Sequence, residues 1–215
     1  MQTILDSFRA LRLVPVVTID DPARAAGLAA ALADGGLPCA EVTLRTPAAI
    51  EAIARMREAR PDMLVGAGTV LTPQQADAAR AAGAAFVVAP GFGPAVVDHC
   101  LAHDVPVVPG VCTPTEIEMA LASGLRFVKF FPAEIAGGVS FLKAVAAPYG
   151  MMRFMPTGGI KPENVGGYLA LPAVVACGGW WMAPTEWVAA GRFDEIREAT
   201  RKAVETVAAP AGAGR

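Results

Sequence analysis

Short runs of β-branched and other apolar residues recur along this chain at intervals of roughly 20 to 26 residues. A strand followed by a returning helix needs about that length, so the spacing predicts repeated strand and helix units. Eight strands are predicted on this basis, at residues 14–19, 39–44, 63–68, 86–90, 106–111, 127–131, 153–156 and 173–177. Most of these runs are apolar throughout, which is typical of parallel strands that helices cover.

The segments between the strands have the residue spacing of helices, for example at residues 23–33 and 48–59. After many strands a capping residue or tight turn precedes a proline that can occupy the first helical position. The instances are Asp21-Pro22, Thr46-Pro47, Thr72-Pro73, Gly93-Pro94, Thr113-Pro114, Lys161-Pro162 and Ala183-Pro184. This alternation favours a (β/α)8 barrel with an extra N-terminal helix before Val14, and a doubly wound open sheet is the alternative. We expect a single barrel domain over residues 1–207 and a disordered tail at residues 208–215.

The composition disfavours several classes of partner. The net charge is -2 and no cluster of Lys or Arg is present, so neither nucleic acid nor an anionic membrane is an expected partner. No apolar run reaches the ~18 residues of a membrane span, and the first residues lack the pattern of a signal peptide. The four cysteines contain no C-x-x-C pair and resemble small buried hydrophobes. A cytoplasmic protein is expected.

Lys129 is the least expected residue of the predicted core. It lies within the apolar run Arg126-Phe127-Val128-Lys129-Phe130-Phe131-Pro132, which otherwise reads as a buried strand. Burial disfavours the ammonium form and favours the free amine, which is the nucleophile of Schiff-base chemistry. The alternative is a structural lysine that pairs with a carboxylate or extends out of the strand end.

The second predicted strand carries polar residues on one face. Side chains alternate along a strand, so Glu41, Thr43 and Arg45 share the face that would point into a barrel. A purely structural strand would carry branched apolar residues there. The alternative is an internal ion pair between Glu41 and Arg45.

Metal chemistry has weak support in the sequence. The chain has two histidines, His99 and His103, with no H-E-x-x-H motif, so we expect a solvated or capping role for both. The proposed lysine chemistry requires no metal and no other cofactor.

Glycines follow three of the predicted strands. Gly66-Ala67-Gly68-Thr69 ends the third strand, Pro156-Thr157-Gly158-Gly159 the seventh and Gly178-Gly179 the eighth. Their backbone N–H groups can approach a ligand closely, and the loops after strands seven and eight commonly hold a phosphate in this fold. Each pair alone is weak evidence, since tight strand-to-helix turns also use glycine. Together they predict a phosphate-binding edge that includes Gly158, Gly159 and Gly179.

Six stretches together resemble one family, the 2-keto-3-deoxy-6-phosphogluconate (KDPG) and 4-hydroxy-2-oxoglutarate (KHG) aldolases, which are class I pyruvate aldolases and trimers of (β/α)8 barrels. The stretches run in order along nearly the whole chain: Val14-Pro15-Val16-Val17, Glu41-Val42-Thr43-Leu44-Arg45-Thr46, Gly66-Ala67-Gly68-Thr69-Val70-Leu71, Ala89-Pro90-Gly91, Lys129-Phe130-Phe131-Pro132-Ala133-Glu134 and Pro156-Thr157-Gly158-Gly159-Ile160. The resemblance implies that the substrate is a small 2-keto acid, cleaved to pyruvate and an aldehyde.

The resemblance also implies roles for individual residues. Lys129 would form the Schiff base and Glu41 would act as general acid and base. Arg45 and Thr69 would help hold the pyruvyl carboxylate. Three further residues would line the pocket: Pro90, Phe131 and Thr157.

The chain departs from the family after the eighth predicted strand. Where the family typically reads Gly-Gly-Ser-Trp, this sequence has Gly178-Gly179-Trp180-Trp181. An indole cannot replace the serine hydroxyl as a phosphate ligand, although the backbone N–H of Trp180 still can donate. The hypothesis is a shift toward smaller or unphosphorylated substrates, and the alternative is that Trp180 turns outward or packs at a subunit interface.

Two other functional classes remain open from the sequence. A phosphate-binding barrel epimerase or isomerase would share the glycine loops but would not need an amine on the sixth strand. A non-catalytic binding protein could use the same fold, because fold does not determine function. The joint presence of Glu41, Arg45, Thr69 and Lys129 favours an active aldolase site over either alternative.

Overall fold

The computed structural model describes residues 2–208, and side chains from residue 4 onward. Its strands are β1 (Leu13–Val17), β2 (Cys39–Thr43), β3 (Leu64–Gly68), β4 (Val87–Val88), β5 (Val107–Val108), β6 (Gly110–Val111), β7 (Phe127–Phe130), β8 (Arg153–Pro156) and β9 (Cys177–Gly179). Its helices are α1 (Gln2–Leu11), α2 (Ala25–Asp34), α3 (Ala49–Ala59), α4 (Pro73–Ala81), α5 (Pro94–Ala102), α6 (Pro114–Ala122), α7 (Gly138–Ala146), α8 (Val165–Leu169), α9 (Thr185–Ala190) and α10 (Phe193–Ala208). A short 3-10 turn (Pro22–Arg24) precedes α2.

The strands form a curled, parallel α/β arrangement. Six of them pair in the order β5-β4-β3-β2-β1-β9, and the other three pair in the order β6-β7-β8. Every strand pairing is parallel. The α/β class, the alternation of strands with helices and the extra N-terminal helix are therefore as the sequence predicts.

Two of the predicted strands differ from the observed ones. The predicted fifth strand, at residues 106–111, is divided into β5 and β6 by Pro109, which has no N–H group to donate to a ladder. The predicted eighth strand, at residues 173–177, is wrong in position, because β9 begins only at Cys177. β1 begins at Leu13, which pairs with Cys177, so the ladder with β1 has no earlier partner residue.

The pairs of a capping or turn residue and a proline predict the starts of some helices but not of others. Thr72 caps α4 in a capping box: its hydroxyl accepts from the Gln75 backbone N–H at 3.2 Å, and the Gln75 side chain accepts from the Thr72 N–H. The predicted start at Thr46-Pro47 is wrong, because the Thr46 hydroxyl donates to the Ile19 carbonyl and α3 begins at Ala49. The predicted helix start at Lys161-Pro162 is also wrong, since α8 begins at Val165.

The buried apolar side chains form two clusters on opposite faces of the strands. On β7, for example, Val128 and Phe130 belong to the larger cluster between strands and helices, whereas Phe127 belongs to the smaller one. Phe8 of α1 joins the smaller cluster, with its ring centroid 5.1 Å from Phe86 and 5.9 Å from Phe127. The N-terminal helix thus closes the amino-terminal end of the strands.

The packing of Phe8 against the amino-terminal end of the strands should contribute strongly to stability. Phe8 is fully buried, so Phe8→Ala leaves a cavity, and we expect it to lower the free energy of unfolding by about 3 to 5 kcal/mol. Chemical denaturation followed by circular dichroism measures this change. Leu5→Ala, on the same helix at a partly buried position, is the control and should cost clearly less. Equal costs for the two variants would contradict the proposed role of Phe8.

Histidines and cysteines behave as structural side chains. His103 is the C-cap of α5, and its Nδ1 lies 2.8 Å from the His99 carbonyl oxygen, while His99 Nε2 lies 2.8 Å from an Asp77 carboxylate oxygen. The capping prediction is thus confirmed for His103. Burial raises the pKa of the Cys39 thiol to about 12, so that cysteine stays protonated and acts as a small core residue.

Helix α10 extends through Ala208, the first residue of the predicted tail, and residues 209–215 lie outside the described part. Within residues 2–208, every helix is too short or too polar to cross a bilayer.

Candidate active site

Lys129 lies in the middle of β7 and is almost completely buried. It pairs in register with Gly110 of β6 and Met155 of β8, and its backbone N–H donates to the Pro109 carbonyl at 2.9 Å. Its side chain occupies the same face of the strand as Phe127, because residues two apart point to one side. Only 6% of the residue is exposed, so the amine is held away from bulk water.

The Lys129 ammonium contacts a buried carboxylate. Its Nζ donates to Glu41 Oε1 at 3.0 Å, although the two residues are 88 positions apart in sequence. Gly68 on the neighbouring strand β3 makes room for this contact, since a Cβ there would lie 2.3 Å from Glu41 Oε1. The side chains of β2 and β7 thus meet across the interior. The alternative interpretation from the sequence, an ion pair between Glu41 and Arg45, is wrong, because Glu41 pairs with Lys129 instead.

The Glu41–Lys129 pair is incompletely satisfied. Glu41 Oε2 is buried and has no hydrogen-bond partner among the described residues. Burying two charges is expensive, and a pair kept for stability alone is normally surrounded by further hydrogen bonds. A carboxylate oxygen left without a partner beside a buried amine is instead suited to accept a proton from a substrate or a water.

Arg45 and Thr69 lie together at the mouth of the site. Arg45 is exposed, and its Nε lies 3.4 Å from the Thr69 hydroxyl oxygen. Thr69 has a backbone φ of 58°, a left-handed conformation that is unfavourable for a β-branched residue. Such strain is kept where the surrounding structure imposes it and often marks a functional position. Here it holds the hydroxyl beside the guanidinium.

A cavity of about 270 Å³ opens directly above the amine. Its wall is made of Val16, Thr18, Thr43, Arg45, Lys129, Phe131, Thr157, Trp180 and Thr185. The Lys129 Nζ lies 5.4 Å from the centroid of the Phe131 ring, which forms one apolar side. The cavity therefore combines a buried amine, a guanidinium at the entrance and four threonine hydroxyls, in a space that fits a small polar molecule.

The predicted binding residues are divided between this cavity and its borders. Arg45, Phe131, Thr157 and Trp180 are in the wall. Thr157 is buried and packs on Gly178, where a Cβ would lie 2.3 Å from the Thr157 hydroxyl oxygen. Pro90 borders a separate surface depression next to Leu71 and Phe92.

The three predicted phosphate glycines lie on the loops after β8 and at the end of β9. Gly158 and Gly159 have φ values of 102° and 80°, which side chains rarely adopt, so glycine is required at both. The Gly158 carbonyl accepts from the Glu134 N–H at 3.0 Å, and Asn164 donates to the Gly159 carbonyl at 3.0 Å. Gly179 is buried in β9 beneath the Trp181 ring. The loop geometry is thus fixed before any ligand arrives.

A buried tyrosine supports the same loop from behind. The Tyr168 hydroxyl donates to the Glu134 carboxylate, and both burial and this contact raise the pKa of Tyr168. Glu134 in turn packs against Gly159, where an added Cβ would come within 2.7 Å of the Glu134 side chain. Tyr168 and Glu134 therefore keep the glycine loop close to the chain that follows Lys129.

Trp180 stands in the cavity wall but remains about half exposed. Its exposed fraction is 49%, whereas the next residue, Trp181, is largely packed against the core. The indole is consequently at the entrance of the cavity. This position keeps it available to a substrate.

Three residues of the cavity wall had no assigned role in the sequence analysis: Val16, Thr18 and Thr185. Alternation along the first strand was the available signal, because Val14, Val16 and Thr18 share a face and the third of them is polar at the carboxyl end of the strand. Thr185 begins α9 and could not be placed from spacing alone. Metal-binding clusters of three or more His, Cys, Asp or Glu are absent from residues 4–208.

Comparisons with known proteins agree on one family. A family model described as KDPG and KHG aldolase matches residues 4–199. The 2-dehydro-3-deoxy-phosphogluconate aldolases of Treponema pallidum (strain Nichols) and Haemophilus influenzae are 50% and 44% identical over 207 and 206 residues, covering 96% of this chain in both cases and 99% and 97% of those proteins. A crystal structure of KDPG aldolase from Legionella pneumophila, with pyruvate captured as a covalent carbinolamine intermediate, superposes with a TM-score of 0.89 at 39% identity, covering 93% of this chain and 97% of that one.

Proposed function

Because this chain belongs to the KDPG and KHG aldolase family, we propose that it is a class I aldolase that cleaves a 2-keto-4-hydroxy acid to pyruvate and an aldehyde. Its substrates would be KDPG, which gives glyceraldehyde 3-phosphate, and KHG, which gives glyoxylate. The observation that carries the proposal is the buried contact of 3.0 Å between the Lys129 amine and Glu41, beneath a cavity that fits a small keto acid.

The first step would form the covalent bond. Glu41 takes a proton from the Lys129 ammonium, the free amine adds to the C2 ketone to give a carbinolamine, and Glu41 returns that proton to the carbinolamine hydroxyl. Loss of water then yields an iminium ion, which can accept the electrons of the C3–C4 bond. Support comes from the relative of Legionella pneumophila, in which pyruvate is captured at the carbinolamine stage.

The second step would break the carbon skeleton. Glu41, directly or through a water, removes the proton of the C4 hydroxyl, and the C3–C4 bond cleaves to release the aldehyde. The electron pair passes into the iminium, giving an enamine on Lys129. Glu41 then returns a proton to C3, and hydrolysis of the resulting iminium frees pyruvate and regenerates the amine. The unpaired Glu41 Oε2 is the oxygen suited to these transfers.

The remaining wall would hold the two ends of the substrate. Arg45 and Thr69 would bind the pyruvyl carboxylate, because the guanidinium fork matches a carboxylate and the threonine hydroxyl adds a donor. Phe131 and Thr157 would line the pyruvyl side, whereas Pro90, which borders the separate depression, would not contact the substrate directly. The phosphate or its equivalent would lie against Gly158, Gly159, Gly179 and Trp180, on the loops that follow β8 and β9.

The assay that tests this function measures pyruvate release with lactate dehydrogenase and NADH. Purified protein would receive KDPG in one reaction and KHG in another, both in chelator-treated buffer. We expect turnover of at least one of them. Absence of pyruvate from both, with protein whose circular dichroism is that of the folded state, would overturn the proposal.

Trp180 would set the preference between the two substrates. An indole at the entrance offers one N–H donor and fills space that a phosphate would otherwise occupy. We expect Trp180→Ser to raise kcat/KM for KDPG relative to KHG by roughly tenfold, the value of one charge-assisted hydrogen bond. The same substitution at Trp187, which lies on α9 outside the cavity wall, is the control. An unchanged ratio in Trp180→Ser would show that this side chain does not affect phosphate recognition.

The strands would close into a complete (β/α)8 barrel within one domain that extends over residues 1–207. Support comes from both junctions between the two strand groups. At one, only Pro109 separates β5 from β6; at the other, Thr157 pairs with Gly178 in an isolated parallel bridge next to β8 and β9. Parallel sheets of this kind are stable when closed and covered by helices.

The protein would assemble as a homotrimer in the cytoplasm. Apolar side chains on its surface support an interface between subunits, above all Ile135, which is 89% exposed in the segment between β7 and α7. Leu71 and Phe141 are also exposed. Sedimentation equilibrium of the purified protein would measure the stoichiometry directly.

A further inference from the structure

Thr18 is part of the cavity wall, and nothing in the proposed reaction uses it. It follows β1 directly, and β1 lies between β9 and β2 in the sheet. Thr18 is therefore placed between Trp180, which follows β9, and Thr43 on β2. Arg45 and Thr69 follow β2 and β3, so they lie on the far side of Thr43 from Trp180. A substrate bound with its carboxylate at Arg45 would direct its other half toward the side that includes Thr18.

The hydrogen bonds of Thr18 fix what its hydroxyl can offer. Thr18 Oγ1 and Thr43 Oγ1 are 2.9 Å apart, and Thr43 Oγ1 donates to the Val17 carbonyl oxygen at 3.0 Å. A carbonyl only accepts, so the single hydroxyl hydrogen of Thr43 is used there. The hydrogen between the two threonines must then come from Thr18. What Thr18 presents to the cavity is consequently a pair of oxygen lone pairs.

This acceptor contrasts with the charged groups of the same cavity. Lys129 and Arg45 are donors and attract an anion, whereas the lone pairs of Thr18 repel one and accept from a neutral donor. A hydroxyl that already donates also becomes a better acceptor, because hydrogen bonds in a chain polarise one another. Thr18 is half-buried, so water competes only partly for the position.

We propose that Thr18 is a specificity-determining residue that accepts a hydrogen bond from the C5 hydroxyl of the substrate's aldehyde half. This proposal rests on the proposed aldolase function and specifies which of its substrates the site prefers. KDPG has a hydroxyl at C5, whereas KHG has a carboxylate carbon there. The acceptor would therefore favour aldehyde halves that carry a hydroxyl next to the new carbonyl and disfavour those that end in a carboxylate.

The test is Thr18→Val, which removes the hydroxyl and keeps the shape, assayed on KDPG, on its 5-deoxy analogue and on KHG. We expect kcat/KM to fall about tenfold for KDPG, to change by less than about twofold for the 5-deoxy analogue and to rise for KHG, whose C5 carboxylate no longer meets the Thr18 lone pairs. Thr18→Ser should restore the value for KDPG. Thr206→Val, a change at an exposed threonine of α10, is the matched control and should affect none of the substrates.

Two results would overturn the proposal. An equal loss on KDPG and on its 5-deoxy analogue would mean that Thr18 acts through Thr43 or through stability rather than on the C5 hydroxyl. An unchanged kcat/KM for KDPG would mean that the hydroxyl makes no such contact. Borohydride trapping of pyruvate on the unaltered protein separates these results from a failure of the aldolase function, which would remove trapping altogether.

Discussion

Lys129→Ala is expected to abolish pyruvate formation, with a loss in kcat on the order of 10⁴ to 10⁶, because no other group can form the covalent intermediate. The coupled pyruvate assay on KDPG and KHG measures this loss. Lys143→Ala is the matched control, since Lys143 is an exposed lysine on α7 and should be dispensable. Retention of more than about a tenth of the activity in Lys129→Ala would contradict the Schiff-base mechanism.

Stability must be separated from chemistry in that experiment. Removing Lys129 leaves Glu41 buried without its partner, which costs about 3 to 5 kcal/mol in comparable buried pairs. Lys129→Arg keeps the positive charge opposite Glu41 but cannot form an imine under these conditions. We expect the arginine variant to fold and to be as inactive as the alanine variant.

Glu41→Gln is expected to lower kcat by about 10² to 10⁴, because the amide has the shape of the carboxylate but cannot accept and return protons. The loss should appear in kcat for cleavage, measured by the same coupled assay. Pyruvate should still become trapped on Lys129, although more slowly than in the unaltered protein, because the amine remains in place but must lose its proton to water.

Glu51→Gln on α3 is the control for Glu41→Gln, because Glu51 is an exposed glutamate that pairs with Arg55. Wild-type kcat in Glu41→Gln would mean that another group transfers the proton. Loss of both trapping and cleavage would mean that Glu41 serves only to generate the free amine and has no separate role in cleavage of the C3–C4 bond.

Local signals in the sequence predict most of the fold. Strand spacing and apolar runs place β1, β2, β3, β7 and β8 within one or two residues of their predicted starts. The errors occur where tertiary pairing decides the outcome. The start of β9 is determined by its partner, because the first residue of β1, Leu13, pairs with Cys177. The predicted fifth strand is interrupted at Pro109, which has no N–H group to donate.

The candidate site is predictable in part for the same reason. Lys129 and Glu41 stand out because each is a charged residue in an apolar or alternating strand, and they meet across the interior at 3.0 Å. Alternation alone could not show that the partner of Glu41 is Lys129 rather than Arg45. That pairing depends on the curl of the sheet and on the space that Gly68 leaves.

Residues whose role depends on neighbours in space are missed by sequence reasoning. The acceptor character of Thr18 follows from two hydrogen bonds with Thr43 and the Val17 carbonyl, which link strands 25 residues apart. Thr185 enters the cavity wall because α9 begins beside Trp180. Alternation along β1 puts Thr18 on the same face as Val16 but does not show these hydrogen bonds, and Thr185 has no spacing that would identify it.

The most direct test of the central claim is borohydride reduction of the protein in the presence of pyruvate, followed by peptide mass spectrometry. The Schiff-base role of Lys129 predicts one stable pyruvyl adduct per chain, located on Lys129 and absent from Lys129→Arg. An adduct on any other lysine, or no adduct on folded protein at saturating pyruvate, would contradict it.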